Sequence, residues 1–123
     1  MAKSKKQKLR AKCDRLWFKI LLNKYPKCEV CSKETKQIHH FFGKHLYSNL
    51  RFDLRNGVGL CLGCHFQHHH GGNPTIHQEV ITKRGKRWYN SLLKKSKVKL
   101  SSYLTIKYYE DIKKALEKET LKM

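Results

Sequence analysis

The chain has 123 residues, with 28 Lys or Arg and 9 Asp or Glu, so its formal net charge is +19. This length suits one domain, and no run reaches the roughly 18 apolar residues that a membrane span needs. A positive charge of this size attracts polyphosphates, of which nucleic acid is the most abundant. A solvated surface or a basic helix on a membrane is the alternative explanation. We expect a nucleic-acid partner and no membrane association.

The N-terminal part contains a basic arm and a helix. Residues 1 to about 8 are rich in Lys, and we expect them to be disordered until they meet a phosphate backbone. Apolar residues then recur at helical spacing from Leu9 to Tyr25, and Pro26 ends the predicted helix. Because the start is charged and no apolar segment follows, we expect no signal peptide and a cytoplasmic location.

Two short strands and a helix are predicted in the middle of the chain. An isoleucine and paired aromatic residues within residues 36–42 suit one strand, and residues 58–62 suit a second. Residues 43–53, between them, have the composition of an irregular loop. A helix should occupy residues 64–70, until the Gly-Gly-x-Pro stretch at residues 71–74 ends it.

The C-terminal third is predicted to be helical. Apolar residues at helical spacing indicate a helix near residues 76–81, a second near residues 88–93 after Gly85, and a last one capped by Thr105. Residues 101–102 mark a break before the last helix. Together these elements predict an α+β fold with three parts: a basic arm and helix (1–27), a central core (28–74) and a basic helical region that packs on the core (75–123).

Four cysteines form two Cys-x-x-Cys pairs in the central core. Each pair presents two thiolates from one tight turn, and two pairs complete the tetrahedral sulfur set that Zn²⁺ prefers. Because this part of the chain has little apolar material, a structural zinc would supply folding free energy that a small core cannot. Disulfides are the alternative, and a reducing cytoplasm disfavours them. The predicted zinc ligands are Cys28, Cys31, Cys61 and Cys64.

Histidines around the cysteine pairs predict a second, catalytic cation site. Imidazole is the commonest neutral metal ligand and its pKa lies near neutrality, so one member of the His39-His40 doublet can bind a cation while the other accepts a proton. Neighbouring strand side chains point to opposite faces, so the doublet can share a site only at a strand end or bulge. His65 and His69 lie on one face of the predicted helix. His68 and His70 do not lie on that face and are weaker candidates.

The order Cys-x-x-Cys, His-His, Asn, Cys-x-x-Cys-His over residues 28–70 resembles the HNH (His-Me finger) endonucleases. That resemblance implies a ββα-metal fold, in which a hairpin and a helix hold one divalent cation. Further stretches resemble the phage NinG (Rap) recombination proteins, which are HNH-like nucleases that act on branched DNA. These stretches are Lys12-Cys-Asp-Arg-Leu-Trp-Phe, Asn49-Leu-Arg-Phe-Asp-Leu-Arg-Asn-Gly-Val, Gly71-Gly-Asn73 and Ile81-Thr-Lys-Arg-Gly85, so the likeness covers most of the chain after about residue 9.

The resemblance implies roles for individual residues. His39 would bind the catalytic cation, Mg²⁺ or Mn²⁺, and His40 would be the general base that activates water. Asn56 would hydrogen-bond backbone near the doublet and orient His40, while His65 and His69 would complete the metal site. NinG proteins typically have Gly at the position of His39 and Asn at that of His65. The residues found here are closer to the general HNH pattern, which supports a competent metal site and weakens the expectation of an identical substrate.

The predicted function is a metal-dependent, structure-selective DNA endonuclease that leaves a 5′ phosphate and a 3′ hydroxyl. A non-catalytic zinc module that binds DNA or RNA is the alternative from another class, and a metal-dependent ribonuclease is a third. The sequence leaves open a homodimer or a larger phage or host recombination complex, and a phage-encoded chain would act in the bacterial cytoplasm. The residues expected to contact nucleic acid are Lys3, Lys5, Lys6, Lys8, Arg10, Lys44, Arg51, Arg55, Lys83, Arg84, Lys86 and Arg87.

Overall fold

A computed structural model describes residues 2–70, 75–98 and 104–123, with the side chains of residues 69 and 70 outside the described part. Helices and one two-stranded antiparallel sheet make up this part of the chain, which confirms the α+β prediction. None of the helices in these ranges is long and apolar enough to cross a membrane. The elements are α1 (Lys5–Lys24), β1 (Gln37–His40), β2 (Gly57–Leu60), α2 (Leu62–His70), α3 (Thr75–Arg84), α4 (Lys86–Ser96) and α5 (Ile106–Thr120).

Helix α1 begins at Lys5, before the predicted start at Leu9. The Ser4 side chain accepts a hydrogen bond from the backbone N–H of Gln7 (3.2 Å), and the Gln7 side chain accepts one from the N–H of Ser4 (2.9 Å). This capping box satisfies backbone donors that a helix start leaves unpaired. Residues 5–8 therefore belong to the helix, where the sequence predicted a disordered arm.

The first hydrophobic cluster forms where α1 packs along α5. Cys13, Trp17 and Leu21 of α1 are buried against Tyr109 and Leu116 of α5. Thr105 caps α5 as predicted, because its hydroxyl accepts from the backbone N–H of Tyr108 at 3.1 Å. The predicted break at residues 101–102 lies outside the described residues, as does the Gly-Gly-x-Pro stretch at residues 71–74. The N- and C-terminal helices thus share one core.

The two-stranded sheet separates this cluster from a second one. Strands β1 and β2 pair antiparallel, with His40 opposite Gly57 and Gln37 opposite Leu60. Ile38 belongs to the cluster of α1 and α5, whereas Val58 and Leu60 belong to the other. The remaining buried members of the second cluster are Cys28, Phe41, Cys61, Ile76 and Val80. Alternation along the strands therefore directs neighbouring residues toward different cores.

Gly57 permits a close approach of β2 to α1. A Cβ atom at this position would overlap Cδ1 of Leu21 and lie 3.0 Å from Cζ2 of Trp17. Any side chain would push the helix away from the strand, and such overpacking typically costs about 1–3 kcal/mol. Since His40 pairs with Gly57 and stacks on Trp17, the same close approach positions His40.

Candidate functional site

The four cysteine sulfurs converge into one group, the cysteine quartet. The ligand atoms of Cys28, Cys31, Cys61 and Cys64 all lie within 4.8 Å of one another, and the Cys31 and Cys61 sulfurs are 3.4 Å apart. Sulfurs bound to tetrahedral zinc at about 2.3 Å lie roughly 3.8 Å from each other. The spacing and the all-sulfur donor set therefore fit a metal such as zinc, as the sequence predicted.

Local turns bring the quartet together. In the first Cys-x-x-Cys turn, the N–H of Cys28 donates to the carbonyl of Lys33 (2.6 Å), and the N–H of Ser32 donates to the carbonyl of Cys28 (3.0 Å). Ser32 adopts a φ of 66°, in the left-handed region that closes such a turn. The second pair follows β2 directly, with Cys64 in the first turn of α2.

In the second pair, Cys61 favours the thiolate form, whereas burial raises the pKa of the Cys64 thiol. The backbone N–H of Cys64 donates to the Cys61 sulfur at 3.4 Å. This hydrogen bond is the main cause that lowers the pKa of the Cys61 thiol to about 7, although burial opposes it. A thiolate is the form that binds a metal, so the fold prepares Cys61 as a ligand. No disulfide joins the cysteines of the described residues.

The histidine doublet is divided between the two faces of the sheet. His40 lies on the α1 side, where its ring stacks on Trp17 with 4.1 Å between centroids and an interplanar angle of 6°. His39 points to the other side, toward α2 and α3, where its Nε2 lies 3.3 Å from Nε2 of His77. Both residues are at the end of β1. A strand end is where the sequence allowed two neighbouring residues to contribute to one site.

A backbone carbonyl orients the His40 ring. Nε2 of His40 lies 3.0 Å from the carbonyl oxygen of Arg51, and because a carbonyl can only accept, Nε2 must carry the proton. The neutral ring then keeps its lone pair on Nδ1. The pKa of His40 is lowered to about 4, first by burial and also by the charges of Lys44 and Arg51, while the bond to the carbonyl opposes this shift. His40 is therefore a neutral, oriented imidazole.

Asn56 is fully buried and holds the loop that follows the doublet. Its Oδ1 accepts from the N–H of Phe42 (2.8 Å), and its Nδ2 donates to the carbonyls of Phe42 (3.0 Å) and Leu50 (3.1 Å). The carbonyl of Asn56 also accepts from the N–H of Phe41 at 2.8 Å. The side chain thus hydrogen-bonds backbone next to His40, which is the contact that the resemblance implied.

Three histidines form a second group of candidate metal ligands, the histidine triad. The ligand atoms of His39, His68 and His77 lie within 4.8 Å of one another, and all three residues are half-buried. Two nitrogens bound to tetrahedral zinc at 2.0–2.1 Å lie roughly 3.3 Å apart, which is the His39–His77 separation. No carboxylate of the described residues belongs to the group. The donor set is thus entirely imidazole nitrogen.

This set differs from the one that the sequence predicted. The ring centroid of His65 is 6.2 Å from that of His39, whereas His68 is at 4.4 Å. The side chain of His69, the other predicted ligand, lies outside the described residues. The histidines nearest to His39 are His68, which the helix spacing ranked lower, and His77, which no spacing indicated. His77 belongs to α3, and only its tertiary position connects it with the doublet.

Three adjoining cavities form a path, the α1 groove, that leads to His40. The first, of about 230 Å³, lies beside Lys3 and Arg10 and reaches Asp14. The second, of about 220 Å³, continues from Asp14 to His40 and Lys44. The third, of about 330 Å³, shares Ile38, His40 and Lys44 with the second and adds four more residues: His39, Gly43, His45 and His65. The general-base candidate and one member of the triad therefore open into the same space.

Comparison with known proteins gives no family assignment. No family model, curated protein or solved structure matches this chain. A function must therefore be argued from the chemistry of the residues that the fold brings together. Those residues are the cysteine quartet, the histidine triad and His40 with its neighbours in the α1 groove.

Two arginines predicted to contact nucleic acid form ion pairs within the chain. Arg51 donates to both carboxylate oxygens of Asp14 (2.9 and 2.8 Å), and its side chain is 16% exposed. Arg55 donates to Asp53 through the backbone and the side chain, and Lys95 reaches the same carboxylate at 2.7 Å. Burial opposes ionisation of Asp53, but these hydrogen bonds lower its pKa to about 2. Asp14 therefore neutralises Arg51, whereas Arg55 shares the single carboxylate of Asp53 with Lys95 and stays exposed.

Arg84 has a structural role, which corrects its prediction as a phosphate-binding cation. It pairs with Glu29, and the two side chains are 11% and 7% exposed. It also donates to the carbonyls of Gly57 (2.7 Å) and Arg55 (3.1 Å). An arginine satisfied in this way ties α3 to the first cysteine turn and leaves no free charge for a phosphate. The predicted contacts that remain at the surface are Lys3, Lys5, Lys6, Lys8, Arg10, Arg55, Lys83, Lys86 and Arg87, with Lys44 half-buried in the α1 groove.

Proposed function

We propose that the chain is a divalent-metal-dependent endonuclease of the HNH type that cleaves DNA. The observation that carries the proposal is the position of a neutral, oriented His40 next to His39, with both opening into one cavity. The order of two antiparallel strands followed by α2 supports a ββα-metal core. A non-catalytic zinc module would need the cysteine quartet but neither the triad nor His40.

His40 is the proposed general base. Its Nδ1 lone pair can accept a proton from an attacking water, because Nε2–H is already donated to the carbonyl of Arg51. The ring cannot tilt freely, since Trp17 stacks on it and Asn56 holds the adjoining backbone. A cation held by the triad would polarise a phosphoryl oxygen and stabilise the charge that develops there. The proposed products carry a 5′ phosphate and a 3′ hydroxyl.

The triad favours a transition-metal ion. Three imidazole nitrogens suit Zn²⁺ or Ni²⁺ best. They bind Mn²⁺, the weakest binder of the divalent transition series, more readily than Mg²⁺, which prefers oxygen ligands and retains several waters. Of the two cations expected from the sequence, Mn²⁺ therefore fits better than Mg²⁺. The cation in this proposal is a transition metal at His39, His68 and His77, separate from the structural metal of the cysteine quartet.

The α1 groove is the proposed path of the DNA backbone. It begins between Lys3 and Arg10 and ends at Lys44 and His40, so a phosphate chain drawn along basic residues would arrive at the general base. Asp14 would repel phosphates, but Arg51 neutralises it. Contacts of this kind read phosphates rather than bases, so binding is sequence-independent and salt-sensitive. Branched DNA and assembly into a homodimer or recombination complex belong to the same proposal.

Variants of the triad test the metal assignment. His39→Ala and His77→Ala should each weaken binding of one Mn²⁺ or Zn²⁺ by more than the roughly 10- to 100-fold that loss of an outer-shell contact costs. Cleavage should fall with it and recover in part when the metal concentration is raised. Isothermal titration of protein that already holds its structural zinc, together with cleavage rates, measures both effects.

Two cavity histidines outside the triad serve as controls. His45→Ala and His65→Ala should keep the metal affinity, because these residues line the cavity without joining the triad. If His65→Ala lost the cation while His77→Ala retained it, the ligand set predicted from the sequence would be right and the triad wrong.

A further inference from the structure

A separate cavity of about 680 Å³ lies beside the first cysteine turn. It shares no lining residue with the α1 groove. Its volume falls within the roughly 300–1,000 Å³ typical of pockets that bind small organic molecules. The C-terminal end of α1, the first cysteine turn and the α3–α4 region form its walls, with Lys24, Tyr25, Lys27, Lys83 and Trp88 among them.

One wall of this cavity is rigid and aromatic. The Arg84 guanidinium lies between the rings of Tyr25 and Trp88, with its central carbon 4.7 and 4.9 Å from their centroids. Glu29 pairs with Arg84 and fixes it in place. Trp88 is held in addition by its Nε1–H, which donates to the carbonyl of Arg55 at 2.9 Å. Rings fixed in this way need little ordering when a flat ligand packs on them.

The rim of the cavity is positively charged. Lys24, Lys27 and Lys83 line it and are exposed, whereas the lining carboxylate of Glu29 is neutralised by Arg84. An aromatic wall beside exposed ammonium groups matches a ligand with a flat ring at one end and a phosphate at the other. A base inside an intact duplex cannot offer that combination, because its ring faces are covered by neighbouring base pairs.

We propose that this cavity binds one unpaired nucleotide of a nucleic-acid strand. Its base packs against the wall formed by Tyr25 and Trp88, and its phosphate lies on Lys27 and Lys83. That the bound nucleotide belongs to a nucleic-acid strand rests on the proposed function, since a free nucleotide offers the same chemistry. A site of this kind makes the protein bind flaps, ends and branches more tightly than continuous duplex. DNA with such unpaired nucleotides is the substrate class that a structure-selective nuclease requires.

Binding of two matched DNAs tests the proposal without any cleavage. Full-length protein is titrated, with its structural zinc and no other divalent cation, against a blunt duplex and against the same duplex with a short single-stranded overhang. The overhang should tighten binding by roughly fivefold or more, as expected for one stacked base. It should also quench the fluorescence of Trp88, and Trp88→Phe should lose that quenching, because the other tryptophan, Trp17, is buried at 3% exposure.

Charge variants locate the site. Lys27→Gln with Lys83→Gln should remove most of the overhang preference. The control is Lys118→Gln, on an exposed part of α5 that lines neither the cavity nor the groove, and it should lower the affinity for both DNAs by the same factor. Equal affinity for the two duplexes overturns the proposal, even if the protein cleaves DNA. Quenching by free dAMP without any overhang preference also overturns it, because the occupant would then be a free nucleotide. Loss of cleavage alone would count against the proposed function and not against this cavity.

Discussion

Replacing His40 with alanine should abolish DNA cleavage and leave zinc content and DNA affinity nearly unchanged. General-base catalysis contributes roughly 10²- to 10⁴-fold, and the carbonyl of Arg51 sets the proton position of His40 in the cavity that His39 of the histidine triad also lines. Cleavage rates at saturating Mn²⁺ measure the effect. Raising the metal concentration should not restore this variant, in contrast to variants of His39 or His77.

His40 also packs on Trp17, so its structural contribution must be separated from catalysis. His40→Gln keeps a polar side chain of similar reach without an imidazole base, and thermal unfolding of both variants reports on the fold. Imidazole added to His40→Ala should recover part of the cleavage rate, because the missing base can then be supplied from solution, whereas a packing defect would not respond. A His40→Ala protein that cuts DNA at the wild-type rate would refute the assignment.

Removing the metal of the cysteine quartet should abolish cooperative folding of the second hydrophobic cluster. Cys28 and Cys61 are themselves buried members of that cluster. Structural zinc contributes roughly 10–16 kcal/mol in zinc-finger peptides, compared with the about 5–15 kcal/mol of net stability of a typical domain. We therefore expect Cys61→Ser, or treatment with a strong chelator, to eliminate the unfolding transition seen by circular dichroism.

The fifth cysteine provides a matched control for this experiment. Cys13 is fully buried between α1 and α5, and its sulfur lies 3.4 Å from the carbonyl of Tyr109, away from the quartet. Cys13→Ala should keep about one zinc per chain and a cooperative transition, at a modest loss of stability. A folded wild-type protein without metal, or a Cys61→Ser protein as stable as wild type, would contradict a structural zinc.

Features encoded by local spacing were predictable from the sequence. The Cys-x-x-Cys turns place two sulfurs each, and Pro26 and Thr105 mark helix boundaries that the structure reproduces. The hydrogen bonds of Asn56 to nearby backbone were expected from the resemblance, because that role depends on its place between the doublet and the second cysteine pair. The start of α1 was missed although Ser4 and Gln7 carried the pattern of a capping box.

Features that depend on tertiary packing were not predictable. His77 is far from the doublet in sequence, and only the packing of α3 against the second cluster brings its ring to His39. The choice of His68 over His65 depends on which face of α2 meets β1, and helix spacing alone does not decide that. Likewise, the sequence shows that Arg84 is basic but not that Glu29 neutralises it across the fold.

Cleavage by the wild-type protein tests the central claim most directly. Purified protein supplied with zinc for the cysteine quartet is incubated with labelled linear, overhanging and branched DNA in the presence of Mn²⁺, Zn²⁺, Ni²⁺ or Mg²⁺. The triad and His40 predict metal-dependent cutting that leaves 5′ phosphates, faster with Mn²⁺ than with Mg²⁺ because the ligands are imidazole nitrogens. A protein that binds all of these DNAs yet cuts none with any cation would be a non-catalytic zinc module, and the nuclease assignment would be wrong.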